Sequence, residues 1–420
     1  MKRLETLTVK LLIGLSLTGL LSCSSTPVEQ TTSADRTNRI TPSAPADSSQ
    51  ENQTSSQLAT ASTQSCNLVK SGVGPQGQVN VRVEQVASGL EVPWGIAFLP
   101  GGDMLVSERP GRVRLVQNGQ LQPSPVATLK NITSSGEGGL LGIEAHPDFA
   151  SNRLFYLYYT TDKNGSPVNR VERWRLSPDG RSASPERIII DDIPASRFHN
   201  GGRLRFGPDG MLYIGTGDAS NPQSAQNVDS LSGKILRVTP EGQVPNDNPF
   251  PGKPAFIIGI RNTQGFDWPD NSTLWVTDHG PSGDLGRRGH DEVSVASAGD
   301  NLGWPDIYSC ESRQGMVRPS LVWQQAVPPG GAAIYTGNAI PEWKGNLIVS
   351  TLGSRHLHRV VFDPANPDRL QLHEVYLRGE FGRLRETIVG PDGELYVTTS
   401  NCDGRGNCPS GKDKILRITR

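Results

Sequence analysis

The chain has 420 residues, with 41 Lys and Arg against 42 Asp and Glu, and a formal net charge of −1. That balance gives no electrostatic ground for a nucleic-acid partner or for adhesion to an anionic membrane. Hydrophobic residues are 35% of the chain, and 47 Gly with 32 Pro imply many turns; after the N-terminus no long helical periodicity appears.

The first predicted element is a targeting segment. Lys2 and Arg3 precede an apolar run from Leu11 to Leu21, and Ser22-Cys23 follows. A basic start, a short apolar core and a small residue describe a secretory signal, not a spanning helix. Leu20-Leu-Ser-Cys23 resembles the bacterial lipobox, whose Cys is acylated and becomes the mature first residue. The expectation is a lipoprotein signal peptide over 1–22, with lipidation at Cys23. The protein would then be exported to the cell envelope, periplasmic or extracellular, and would touch the membrane only through its lipid. Residues 23–75 are expected to be a flexible tether. Between Ser24 and Ser65 the sequence is rich in Ser, Thr, Gln, Pro and Ala, with few large apolar side chains, too few to offset the entropy of ordering.

Residues 76–420 carry a repeat. A Pro-led turn followed by a short apolar strand occurs six times, at Pro100, Pro147, Pro208, Pro269, Pro341 and Pro391. Proline fixes φ, and the Asp, Asn or Gly after it tolerates turn geometry. A second phrase follows most copies, as in Arg112-Val-Arg-Leu-Val116 and Lys414-Ile-Leu-Arg-Ile418, where apolar and polar residues alternate as in a strand with one buried face. The first phrase predicts a buried inner strand and the second a more outer one. Six such units predict an all-β fold, a six-bladed β-propeller, preceded by the signal and disordered tether.

Candidate chemistry lies between the repeats. Phe198-His-Asn-Gly-Gly202 places His199 beside two glycines, and the next strand ends at Gly217-Asp218. His199 and Asp218 pair as base and orienting carboxylate if the loop bearing His199 folds over the strand end. Arg261, Asn262 and Gln264 supply donors suited to carboxylate or carbonyl oxygens. Gly280-Pro281 offers backbone carbonyls of the kind Ca²⁺ accepts, or simply a turn. Arg383 and Arg385 point the same way on an extended segment and suit an anion with several carboxylates. Cys402 and Cys408 flank a Gly-rich loop that a disulfide would close, leaving Cys66 with Cys310 by elimination.

In order along the chain, Leu90-Glu-Val-Pro-Trp-Gly-Ile-Ala-Phe-Leu-Pro100, Ser107-Glu-Arg-Pro-Gly-Arg112, Gly136-Glu-Gly-Gly-Leu-Leu-Gly142 with His146-Pro-Asp-Phe149, and the His199, Arg261 and Arg383 segments resemble the soluble quinoprotein glucose dehydrogenase and aldose sugar dehydrogenase family. The resemblance spans roughly residues 80 to 420. It implies pyrroloquinoline quinone (PQQ) with Ca²⁺ in a central pocket. There His199 is the base and Asp218 its partner. Arg261, Asn262, Arg383 and Arg385 contact the cofactor, and Gly280 and Pro281 hold Ca²⁺ through their carbonyls. Glu137 stands where the glucose dehydrogenases carry a Gln near the substrate, and Gln223, Gln264 and Trp323 are further matches around the sugar. Gly353 stands where those enzymes carry a cofactor-binding Lys. The implied activity is oxidation of the anomeric hydroxyl of an aldose to a lactone, with electrons passing to a periplasmic acceptor. Two rival readings are a Ca²⁺-dependent propeller lactonase, whose site rests on carboxylate and Asn side chains, and a non-catalytic propeller used as a binding module.

Overall fold

A computed structural model of the protein describes residues 65–420. The expected signal segment 1–22, Cys23 and the expected tether through residue 64 lie outside the described residues.

Each Pro-led turn is a local device. In Gly207-Pro-Asp-Gly210, Gly207 N–H donates to the Met211 carbonyl (2.9 Å), Met211 N–H donates to Asp209 Oδ1 (3.1 Å), and Gly210 adopts φ 74°. The turn therefore reverses the chain between Leu204–Phe206 and Leu212–Gly215, which pair antiparallel. The same hairpin recurs between Leu384–Val389 and Leu395–Thr399.

Six sheets result, over residues 93–128, 140–194, 204–257, 265–323, 329–376 and 384–419, here blades 1 to 6. The first strands of successive blades line the axis, where they neighbour one another. The strand predicted as inner is therefore one place further out. The Pro-led turn follows the innermost strand, and the apolar phrase after it is the second. That second strand is sandwiched between adjacent blades, so all five residues of Met104–Glu108, of Leu274–Asp278 and of Leu395–Thr399 are buried. The alternating phrase is the third strand, as expected of a more outer position; in blade 5, His358 to Asp363 alternates buried with half-buried residues.

The ring is closed by the N-terminal side of the domain. Arg82–Leu90 pairs antiparallel with Asp413–Thr419 and supplies the outermost strand of blade 6. Upstream, Asn67–Val69 runs parallel to Leu321–Trp323 on the outer edge of blade 4, and Cys66 is bonded to Cys310. The folded part thus begins before residue 76. The tether boundary moves towards the N-terminus because a disulfide and a sheet edge fix residues 66–69. Cys402 and Cys408 are also bonded, closing the loop of blade 6.

Charged side chains plug the axis. Arg203 Nη1 meets Glu386 Oε2 at 2.5 Å, and Arg203 Nε donates to the Gln264 carbonyl (2.8 Å), tying blades 3, 4 and 6 together. Above this plug lies the site.

Candidate active site

The loop before blade 3 folds over the end of that blade's second strand. Gly217 permits this, since a Cβ there would stand 2.1 Å from the His199 carbonyl. His199 takes φ 60°, a strained conformation for a non-glycine residue, and neighbours hold it there. Its N–H donates to Glu137 Oε2 (2.9 Å) and its carbonyl accepts from Ala219 N–H (3.1 Å).

His199 and Asp218 meet as expected, with Nδ1 2.7 Å from Oδ1. Both are buried, Asp218 fully. Arg261 Nη2 lies 2.7 Å from His199 Nε2. A guanidinium only donates, so Nε2 carries the lone pair and Nδ1 carries the proton given to Asp218. Asp218 receives two further donors, Ser220 N–H (2.8 Å) and the indole Nε1–H of Trp304 (2.8 Å).

Arg261 and Asn262 are placed by Asp278, which accepts their backbone N–H groups at 2.7 and 2.6 Å. Burial raises that carboxyl to about 7 even against these bonds. Asp284 Oδ2 lies 2.5 Å from Arg261 Nη2. Asn262 Oδ1 accepts Gly201 N–H (2.9 Å), locking the histidine loop to blade 4.

A central cavity of about 170 Å³ gathers most of the predicted residues: Glu137, His199, Arg261, Asn262, Gln264, Gly280, Pro281, Arg383 and Arg385 all line it. Asp218 stands behind His199. Arg385 donates to Gln264 Oε1 (3.0 Å), and Arg383 Nε donates to Asp403 Oδ2 (2.8 Å). Glu137 Oε1 is paired with Arg405 Nη1 at 3.2 Å.

Two expectations are corrected. Trp323 is a core residue rather than a pocket wall: it is 1% exposed, its Nε1–H donates to the Val73 carbonyl (3.1 Å), and its ring packs edge-on against His358. The blade's outermost strand carries it away from the axis. Gln223 is exposed on a short 3₁₀ turn, Pro222–Ala225, and does not line the cavity. The aromatic that does line it is Trp94, with the guanidinium carbons of Arg203 and Arg385 5.0 and 5.5 Å from its ring. Sequence reasoning assigned no role to Trp304, Asp278, Asp284 or Asp403. Asp278 sat in the quoted Thr277-Asp-His-Gly-Pro segment. Trp304 lies 86 residues from its partner, and nothing local marks it.

The donor set fits a polyanion. Arg383 and Arg385 lie 2.8 and 4.0 Å from the single Asp403 carboxylate, and Arg109 Nη2 donates to the Asp403 backbone carbonyl (3.2 Å). Burial, opposed by Asp403 and reinforced by Arg383 and Arg109, draws Arg385 down to about 9, so it remains a cation at neutral pH. Arg261 Nε is buried without a hydrogen-bond partner. Excess buried cation and an orphaned donor suit a ligand bearing several carboxylates. At the facing wall, Pro281 O accepts Gly289 N–H (2.9 Å) and keeps its second lone pair, while Gly280 O accepts no hydrogen bond among the described residues. Among the described residues no group of three or more His, Cys, Asp or Glu side chains could hold a metal ion, so a cation here would rest on carbonyl oxygens.

Residues 90–416 match the family model described as Glucose / Sorbosone dehydrogenase. The chain belongs to that family. Among its relatives, the aldose sugar dehydrogenase YliI of Escherichia coli is 33% identical, over 77% of this chain and 91% of that protein. Quinoprotein glucose dehydrogenase B of Acinetobacter calcoaceticus is 27% identical, over 77% and 85%. The PQQ-bound aldose sugar dehydrogenase of Streptomyces coelicolor superposes with a TM-score of 0.72 at 34% identity, covering 83% of this chain and 99% of that one. The chain is therefore an oxidoreductase of the aldose and glucose dehydrogenase type, in a family that works with PQQ.

Proposed function

We propose that this protein oxidises an aldose at its anomeric carbon to the lactone, with His199 as general base and with PQQ and Ca²⁺ in the central cavity. The observation that carries this reading is the Nε2 lone pair of His199, fixed by Asp218 and facing an arginine-lined cavity. When bound, PQQ supplies a quinone carbon that accepts a hydride, and Ca²⁺ polarises the adjoining oxygen.

The chain's own residues divide the remaining work. Arg261, Arg383 and Arg385, with Asn262, would hold the cofactor's carboxylates and carbonyls. The Gly280 and Pro281 carbonyls would hold Ca²⁺. Glu137 and Gln264 would take sugar hydroxyls. His199 Nε2 receives the proton of the anomeric hydroxyl as the hydride leaves the same carbon, so the sugar loses two electrons and two hydrogens. Asp218 then faces an imidazolium and stabilises it. The electrons leave to a periplasmic acceptor. Gly353 opens onto a neighbouring cleft rather than reaching the cavity.

Reconstitution tests the reading. Adding PQQ and Ca²⁺ to the purified apoprotein should develop the bound-quinone absorbance, and an aldose should bleach it. Bound quinone that no aldose bleaches would refute the activity. Placement at the periplasmic or outer membrane surface through a lipid on Cys23 belongs to the same proposal, supported by the basic-apolar-Cys N-terminus. Cys23→Ser should move the protein from the membrane to the soluble fraction; a wild type already wholly soluble would contradict it.

A further inference from the structure

Trp304 closes a circuit of four side chains. Its Nε1–H donates to Asp218 Oδ2 (2.8 Å), while Asp218 Oδ1 holds His199 Nδ1 (2.7 Å). His199 Nε2 accepts from Arg261 Nη2 (2.7 Å), and the Arg261 guanidinium carbon lies 5.6 Å from the Trp304 ring centre. The indole is 6% exposed and Asp218 is fully buried, so water does not compete for the bond.

The backbone of Trp304 is itself fixed at both its N–H and its carbonyl. Trp304 N–H donates to the Gly259 carbonyl (2.9 Å), and the Trp304 carbonyl accepts from Gln226 Nε2 (2.7 Å). Gln226 and Asn301 exchange two side-chain bonds at 3.1 and 2.7 Å. Much of this hardware serves one residue of a connecting loop. The loop also carries Cys310, bonded to Cys66.

We propose that Trp304 is a positioning residue that sets the basicity of His199 through Asp218. A carboxylate shared between an imidazole and an indole donor is more dispersed in charge than one facing the imidazole alone. It therefore attracts the imidazolium less, and it cannot rotate away from Nδ1. The effect of Trp304 on turnover rests on the sugar dehydrogenase reading above. Its effect on His199 titration does not, and the other charged or titratable groups facing His199, namely Arg261, Glu137, His279 and Asp284, are unchanged by a substitution at Trp304.

The first measurement uses the cofactor-free chain. The His199 imidazole is followed by NMR across pH, assigned by its loss in His199→Gln, in wild type and in Trp304→Phe. Phenylalanine keeps an aromatic ring beside Arg261 while removing the indole donor together with some buried ring volume. The His199 midpoint should rise by about half a pH unit to one unit. In an Asp218→Asn background, adding Trp304→Phe should move nothing further, because the route is cut. An unshifted midpoint in Trp304→Phe, or a shift that persists with Asp218→Asn, would overturn the proposal.

If Trp304→Phe does not fold, wild type alone decides. The Trp304 indole ¹⁵N–¹H resonance should titrate with the His199 midpoint, and a flat indole response would overturn the proposal equally. In the PQQ-loaded enzyme, Trp304→Phe should move the acid limb of kcat upward and lower kcat more than it changes KM. A normal NMR shift with no aldose oxidation in wild type would sink the enzyme reading and leave this one standing.

Discussion

His199 Nε2 and Arg261 Nη2 lie 2.7 Å apart, in contact across blades 3 and 4. The guanidinium holds the lone pair that the proposed reaction needs, so in that reaction a sugar hydroxyl reaching His199 would take that place from Arg261. Arg261 keeps Asp284 as its second partner (2.5 Å), which gives the displaced cation somewhere to remain. Base and cofactor-facing arginine are thus one unit before anything binds.

Removing the counter-charge should expose this unit. In Asp218→Asn the imidazolium formed in the reaction loses its carboxylate. Turnover should fall roughly 10²-fold or more, and the acid limb of the pH–rate profile should move to lower pH. PQQ affinity should be little changed. Rates across pH with an aldose check this, and a profile superimposable on wild type would contradict it.

The arginines at the start of the innermost strand of blade 6, Arg383 just before it and Arg385 within it, should serve the cofactor rather than the sugar. Arg383→Ala or Arg385→Ala removes a charge-assisted contact of about 1.5–3 kcal/mol, roughly 10- to 150-fold in PQQ affinity. Arg383→Ala also removes the shortest ion pair of Asp403, so the Arg383→Ala/Asp403→Asn pair separates affinity from folding. Fluorescence or absorbance titration of apoprotein with PQQ is the measurement. Unchanged affinity in both single variants would place the carboxylates elsewhere.

The axial plug carries a pH signature. Burial lifts the Glu144 carboxyl to about 7, despite Arg205 3.9 Å away and Arg203 nearby. The folded state therefore keeps a proton that the unfolded chain releases near its ordinary value of 4.5. Stability should fall as pH rises from about 4.5 to about 7, then stop changing on this account. Glu144→Gln should flatten the Tm profile across that window. An unaltered slope would show that Glu144 is ionised throughout.

The sequence made the repeat legible because each Pro-led turn is stabilised by its own neighbours, as Gly207 to Met211 shows. It hid which strand is innermost. Those strands crowd around the axis, where a Cβ on Gly330 would stand 2.4 Å from the Arg385 carbonyl. Glycine there erases the apolar pattern and reads as a loop. The His199–Asp218 pair was visible because both residues flank one short hairpin, Leu204–Phe206 with Leu212–Gly215. Trp304 was not, since its partner lies 86 residues away and the contact exists only once blades 3 and 4 pack. Trp323 misled because a large aromatic near a site in sequence says nothing about which edge of its blade it occupies.

The central claim is that His199 takes the proton of the anomeric hydroxyl. Single-turnover reduction of bound PQQ by an aldose, in wild type and His199→Gln loaded equally with PQQ and Ca²⁺, tests it most directly. The account predicts normal cofactor binding in the variant and reduction slowed by about 10²–10⁴-fold, with the pH dependence of the base lost. Reduction at a near-normal rate in His199→Gln would contradict it.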